Sequence, residues 1–153
     1  MCEKDDGLIL SQGVYLRIMH ELSCHAPECG GILGAGEDGV VTEFYFDKTG
    51  RSSPDGYAPD VAAINRMLTE DWMPRGILMV GIVHSHANGN DVPSCMDVGY
   101  GMRILQALDT VDRFYLPIVT RSGEDARMTC YAIEREMDGR CVCRKSKIHL
   151  SEA

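Results

Sequence analysis

"HSHANGNDVPSCMD", residues 84–97, decides how this chain is read. Two histidines stand two apart, and a serine and an aspartate follow, three apart, beyond a polar loop. The residues just before, "ILMVGIVH" (77–84), are apolar almost without interruption, which predicts a central strand covered on both faces. Alternation along a strand then puts His84 and His86 on one face at its end. Ser94 opens a predicted helix with Val98, Met102, Leu105 and Leu108 inward. Ser94 and Asp97 share one side of its first turn. Two imidazoles, one carboxylate and an open fourth position make a catalytic zinc site, whereas structural zinc more often recruits several thiolates.

Simpler readings exist for each part alone. "SCMD" fits a capping box, so Ser94 and Asp97 could only cap a helix. Histidines at a strand end are often ordinary surface residues. The combination, H-x-H-x7-S-x2-D, changes the balance. With each position matched at about one in twenty, a chain of this length shows it by chance about once in a thousand.

Working outward, "GLIL" (7–10) reads as a short strand. Ser11 caps a helix with Val14, Ile18, Met19 and Leu22 on one face, ended by Pro27. "GGILGA" (30–35) is a short buried strand, turned by Asp38-Gly39 into "VVTEFYFD" (40–47). "KTGRSSPDGY" (48–57) is a loop by composition, and 59–73 a helix bearing Val61, Ile64, Leu68 and Trp72, stopped by "MPRG". Strands are predicted at 113–120, 126–136 and 140–148, the last pair turned by Asp138-Gly139. Helices interleaved with hairpins give an α/β or α+β layered domain, a mixed sheet flanked by helices.

At 153 residues, one domain over 1–153 is expected, long enough to build a core without staples. The net charge of −8 argues against nucleic acid and against an anionic membrane surface as partners. The seven cysteines (2, 24, 29, 95, 130, 141 and 143) are odd in number, and "MCEKDDGLIL" has early acids and no apolar signal region. A reduced, cytoplasmic chain is the expectation. The longest apolar stretch, "GILMVGIV" (76–83), is too short to span a bilayer.

With these residues in view, the chain resembles the JAMM (MPN-plus) metalloprotease family, whose mark is a glutamate well upstream of H-[ST]-H-x7-S-x2-D. His84, Ser85, His86, Ser94 and Asp97 match the downstream part, and Glu28 in "APECGGILGAG" matches the upstream glutamate of small bacterial and archaeal members. The likeness runs from about residue 8 to about 135. The family usually has proline after the second histidine, where this chain has Ala87; no ligand is lost.

The resemblance implies an MPN/JAMM, cytidine-deaminase-like fold. It implies one zinc ion held by His84, His86 and Asp97, with a water in the fourth position. Glu28 would move the proton from water to leaving amine, and Ser94 would donate a hydrogen bond to the oxyanion. The activity implied is hydrolysis of an amide or isopeptide bond at the C-terminal tail of a ubiquitin-like or sulfur-carrier-like protein. An E1-like activating enzyme is expected in the same pathway. An edge within 40–57 could receive such a tail by strand addition.

Other readings carry less. A zinc-bound or metal-free scaffold is the alternative, but all five positions are filled. A RadC-like relative would share the downstream pattern but fits neither "PECGG" nor the negative charge. "CVC" with His149 is tighter than the common zinc spacing, and no further pair completes it. A Cys–His hydrolase built on Cys29 or Cys95 would leave His-x-His and Asp97 unexplained. A nucleobase deaminase needs H-x-E with P-C-x2-C, which "HSH" and "VPSCMD" lack. His20 and His25 read as ordinary, and the nine methionines as core filler.

Overall fold

The computed structural model describes residues 7–23, 28–53, 56–86, 89–108 and 111–152. Pro27, Cys2, Cys24, His25 and Ala87, all weighed above, lie outside these residues. Among the described residues, ten strands and three α-helices follow in the order β1 (Leu8–Ser11), α1 (Gln12–Ser23), β2 (Gly30–Ala35), β3 (Val41–Phe46), β4 (Arg51–Ser53), β5 (Gly56–Ala58), α2 (Val61–Met67), β6 (Leu78–His86), α3 (Cys95–Ala107), β7 (Arg113–Ser122), β8 (Asp125–Arg135), β9 (Cys141–Ser146) and β10 (Ile148–Ser151). Eight strands form one mixed sheet in the order β10-β1-β3-β2-β6-β7-β8-β9, with β6 inside it as its apolar sequence predicts. The fold is α+β, and the mixed sheet is flanked by helices.

The sheet is curled. Strands β9 and β10 are separated by Lys147 alone, yet they occupy opposite edges, β9 against β8 and β10 parallel to β1. The expected single strand over 140–148 is therefore two strands that close a seam. Helix α1 fills the concave side. Its Val14, Ile18 and Leu22 are buried with Leu8 and Leu10 of β1, Leu33, Val41, Phe44, Val83, Val119 and Cys130. The Ser11 hydroxyl accepts the Val14 N–H (3.2 Å) and starts that helix as expected. Ile18 is fully buried there. Ile18→Ala is expected to cost about 3 kcal/mol, as deletion of a buried aliphatic group commonly does, read as a lower urea midpoint at unchanged slope.

The other face carries α2 and α3 over Ile32, Ile82, Phe114, Leu116 and Ile133, with Ile64, Trp72 and Leu105 pressed onto it. Coverage is uneven along β6. Leu78 is exposed, and full burial begins only at Gly81. The helix predicted over 59–73 is α2 alone, capped by Asp60. It widens into a π-helical turn at Leu68–Trp72 and ends in a 3₁₀ turn at Met73–Arg75 closed by left-handed Gly76 (φ 70°). Val61, expected inward, is exposed.

The 48–57 stretch is not a plain loop. It carries the antiparallel ribbon β4–β5. Strand β3 pairs with β2 along its length and meets β1 only at Leu10↔Val41, and the ribbon β4–β5 adds a further pair of edges in this region. Among the described residues no helix is long and apolar enough to cross a membrane.

Candidate metal centre

The centre forms where β6 ends and α3 begins, on the face that carries α2 and α3. Alternation sends Val83 and Ser85 toward α1 and His84 and His86 the other way. His84 pairs with Gly30 of β2 and Ile118 of β7. The first turn of α3 faces the two imidazoles through Asp97.

Three donor atoms converge there. His84 Nε2 lies 2.8 Å from His86 Nε2 and 3.1 Å from Asp97 Oδ2, and His86 Nε2 lies 3.4 Å from the same oxygen. Tetrahedral zinc with bonds of about 2.0–2.1 Å holds its ligand atoms about 3.3 Å apart, so this triangle fits the ion with little adjustment. The histidines are buried and Asp97 is 17% exposed. The triad is the one group of three such side chains gathered this tightly among the described residues.

The proton positions favour a cation as well. His86 Nδ1 lies 2.6 Å from the Asn90 carbonyl, which can only accept. Nδ1 therefore carries the hydrogen, and in the neutral ring the Nε2 lone pair faces His84. Two imidazole nitrogens and a carboxylate oxygen turned on one point repel unless a proton or metal ion sits among them. Without a metal, the Asp97 carboxylate holds His86 above its usual range against the opposing effect of burial, with the Asn90 carbonyl and the Glu28 carboxylate adding to it. Burial pushes the Asp97 carboxyl up, but its bonds to both imidazoles and to the Ser94 amide outweigh burial and hold it well below the usual carboxylate range.

The capping box and the donor cluster coexist. Ser94 Oγ accepts the Asp97 N–H (3.1 Å), and Asp97 Oδ2 accepts the Ser94 N–H (2.8 Å). Oδ2 both faces the two imidazoles and accepts the Ser94 N–H, which ties the donor's position to the helix start.

Glu28 is brought to the same place. Gly30 pairs with His84 across β2 and β6, and the Ser85 N–H donates to the Cys29 carbonyl (2.8 Å), which sets residue 28 opposite His86. The Ser85 hydroxyl fixes the segment by accepting the Cys29 N–H (3.1 Å). Glu28 is half-buried, close enough for its charge to act on His86. Cys29 is buried, its thiol pushed up first by that burial, and Cys95 is exposed at the start of α3. Cys141 and Cys143 pack against the outer core from β9, while His149 lies on β10 beside Gly7.

Beside the triad, Tyr57, Pro59, Ile82, His84, Asp97, Tyr100 and Leu116 line a small cavity with about 20 Å³ of room for water centres, enough for one water. Sequence reasoning missed Tyr57 and Tyr100 in this wall and Asn90 as the partner of His86. The one signal for Tyr57 was an aromatic residue inside a Gly-, Ser- and Pro-rich stretch.

Comparison with known proteins agrees with this geometry. Residues 11–131 match the family described as prokaryotic homologs of the JAB domain. A solution structure of a protein from Desulfitobacterium hafniense has a TM-score of 0.63 at 20% identity, covering 95% of this chain and 93% of that one. The crystal structure of a JAB1/MPN domain protein from Archaeoglobus fulgidus has a TM-score of 0.55 at 20% identity, covering 95% and 99%. At that identity the likeness is one of fold. No curated protein matches the chain. With the family match running over most of its length and the sheet order shaped around β6 as described, the chain belongs to the prokaryotic homologs of the JAB domain.

Proposed function

We propose that the chain is a zinc-dependent peptidase or isopeptidase that hydrolyses the amide bond at the C-terminal tail of a ubiquitin-like or sulfur-carrier-like protein. The observation that carries the reading is the convergence of His84 Nε2, His86 Nε2 and Asp97 Oδ2 within 3.4 Å of one another, with Glu28 set opposite His86. The donor set suits zinc: two neutral nitrogens and one carboxylate oxygen, with one side left open. A zinc ion held there would polarise a substrate carbonyl and bring the pKa of a water to about 7.

The chain's own residues do the rest. Glu28 takes a proton from the attacking water and delivers it to the departing amine. Ser94 Oγ already accepts the Asp97 N–H, which leaves its O–H to donate to the oxygen that gains charge on the substrate carbonyl. His86 is kept in the tautomer that presents Nε2 by the Asn90 carbonyl. The cavity beside His84 and Asp97 has room for the water. The β4–β5 ribbon, next to Glu28 through Gly56, offers the edge along which an extended tail would lie.

The decisive experiment uses the purified full chain, its metal content, and fusions in which a ubiquitin-like or sulfur-carrier protein is joined to an amine at its last residue. About one zinc per chain is expected, with cleavage at the modifier's final carbonyl that stops on chelation and returns with zinc. Zinc retained without cleavage of any fusion would favour a scaffold that binds the modifier. No zinc affinity would remove the peptidase reading and leave only a metal-free scaffold.

A further inference from the structure

We propose that Asp47 is a positioning residue. Its buried carboxylate latches Tyr57 and strand β5 onto the floor of the metal centre and so sets the width of the groove that receives the tail. This rests on the function proposed above, because a groove matters only if something enters it.

Asp47 follows β3 and is 3% exposed. Its backbone N–H donates to the carbonyl of Gly30 (3.0 Å), the residue paired with His84. Its Oδ2 accepts two hydrogen bonds, from the Tyr57 hydroxyl (2.5 Å) and from the Asp60 N–H (2.9 Å). Asp60 in turn caps α2, accepting the Ala63 N–H on Oδ1 (3.1 Å), and takes the Thr49 hydroxyl on Oδ2 (2.7 Å). One carboxylate thus joins the end of β3, strand β5 and the start of α2.

What it holds borders the donor triad. The Tyr57 ring lies against Gly30 so closely that a Cβ there would stand 2.6 Å from Cε1. The same ring walls the small cavity shared with His84 and Asp97. The preceding residue, Gly56, would place a Cβ 3.7 Å from Glu28 Oε2. Tyr57 therefore forms one wall of the space beside His84 and Asp97. Burial first, and then Asp47 itself, push the Tyr57 phenol far above its usual range, so the latch keeps its proton.

The carboxylate is only half satisfied. Oδ1 is buried and has no hydrogen-bond partner among the described residues. A buried oxygen left without a donor destabilises by about 1–3 kcal/mol, a cost the two bonds on Oδ2 have to offset. The charge does supply an acceptor strong enough to hold a hydroxyl and an amide at once.

The test is hydrogen exchange by mass spectrometry on the full chain with zinc, comparing wild type, Asp47→Asn and Tyr57→Phe. Both variants keep the side-chain shape and change the latch alone. The amides of Gly56, Tyr57, Ala58 and Asp60 are expected to exchange about tenfold faster, with α1 and β7 unchanged and zinc retained. On a cleavable fusion, KM is expected to rise about tenfold with kcat within about twofold of wild type. Unchanged exchange at 56–60 in both variants overturns the proposal. So does a uniform rise along the chain, which would make Asp47 an ordinary support of the fold, or a fall in kcat at constant KM. A wild type that binds zinc but cleaves no fusion removes the peptidase reading instead, and the exchange result still decides whether the latch exists.

Discussion

Glu28→Gln is expected to keep one zinc per chain and to lower cleavage of a modifier–amine fusion by about a thousandfold, within the range general acid–base catalysis supplies. The glutamine has the size and shape of the original side chain but cannot accept a proton. It is also not one of the three converging donors, so the metal should stay. The position is well fixed: the Ser85 hydroxyl and amide grip Cys29 from both sides, and the β2–β6 pairing at Gly30 and His84 runs directly into it. A thousandfold loss is about 4 kcal/mol of transition-state stabilisation. Metal analysis and single-turnover rates check it together. Full turnover in the glutamine variant would remove the proton-transfer role, and loss of zinc would mean that Glu28 belongs to the metal shell.

The second large effect is at Asp97, where two roles share one oxygen. Asp97→Ala removes the metal donor and the capping box together. Asp97→Asn keeps a carbonyl oxygen that can still accept the Ser94 N–H but removes the charge from the donor set. Zinc affinity is expected to fall by more than about a hundredfold in both, since even outer partners of a ligand are worth ten- to a hundredfold. Stability of the metal-free chain should separate them: the alanine variant loses about 1 kcal/mol of cap, and the asparagine variant loses less. Zinc titration and thermal unfolding of each variant without metal measure the two terms. An asparagine variant that binds zinc as tightly as wild type would show that the triad does not hold the ion through this carboxylate.

The candidate site was legible because its signal is local and periodic. An apolar run ending in His84 and His86 has one reading as a strand, and a serine three residues before an aspartate starts a helix whatever else the pair does. Both assignments hold in β6 and α3. The long-range features were not legible. "RCVCRKSKI" has the composition of one strand, and nothing within it says that Ile148 will pair with Leu8. "KTGRSSPDGY" is rich in turn formers, and its ribbon exists because Asp47 and Gly30 hold Tyr57 from outside the segment. Helix α2 departs from its 3.6 periodicity where Trp72 seats against Gly34, a contact made by tertiary packing. In each case the deciding partner lies far away in sequence, beyond the reach of patterning.

The seam between β9 and β10 bears on the order in which a nascent chain can mature. Every donor of the triad lies within the first 97 residues, but the edge of β1 stays unpaired until Ile148 arrives to lie along Leu8. Contacts between such distant segments carry a large loop-closure entropy and form late. Until then the edge of β1, with its unpaired backbone groups, is the surface that chaperones would meet.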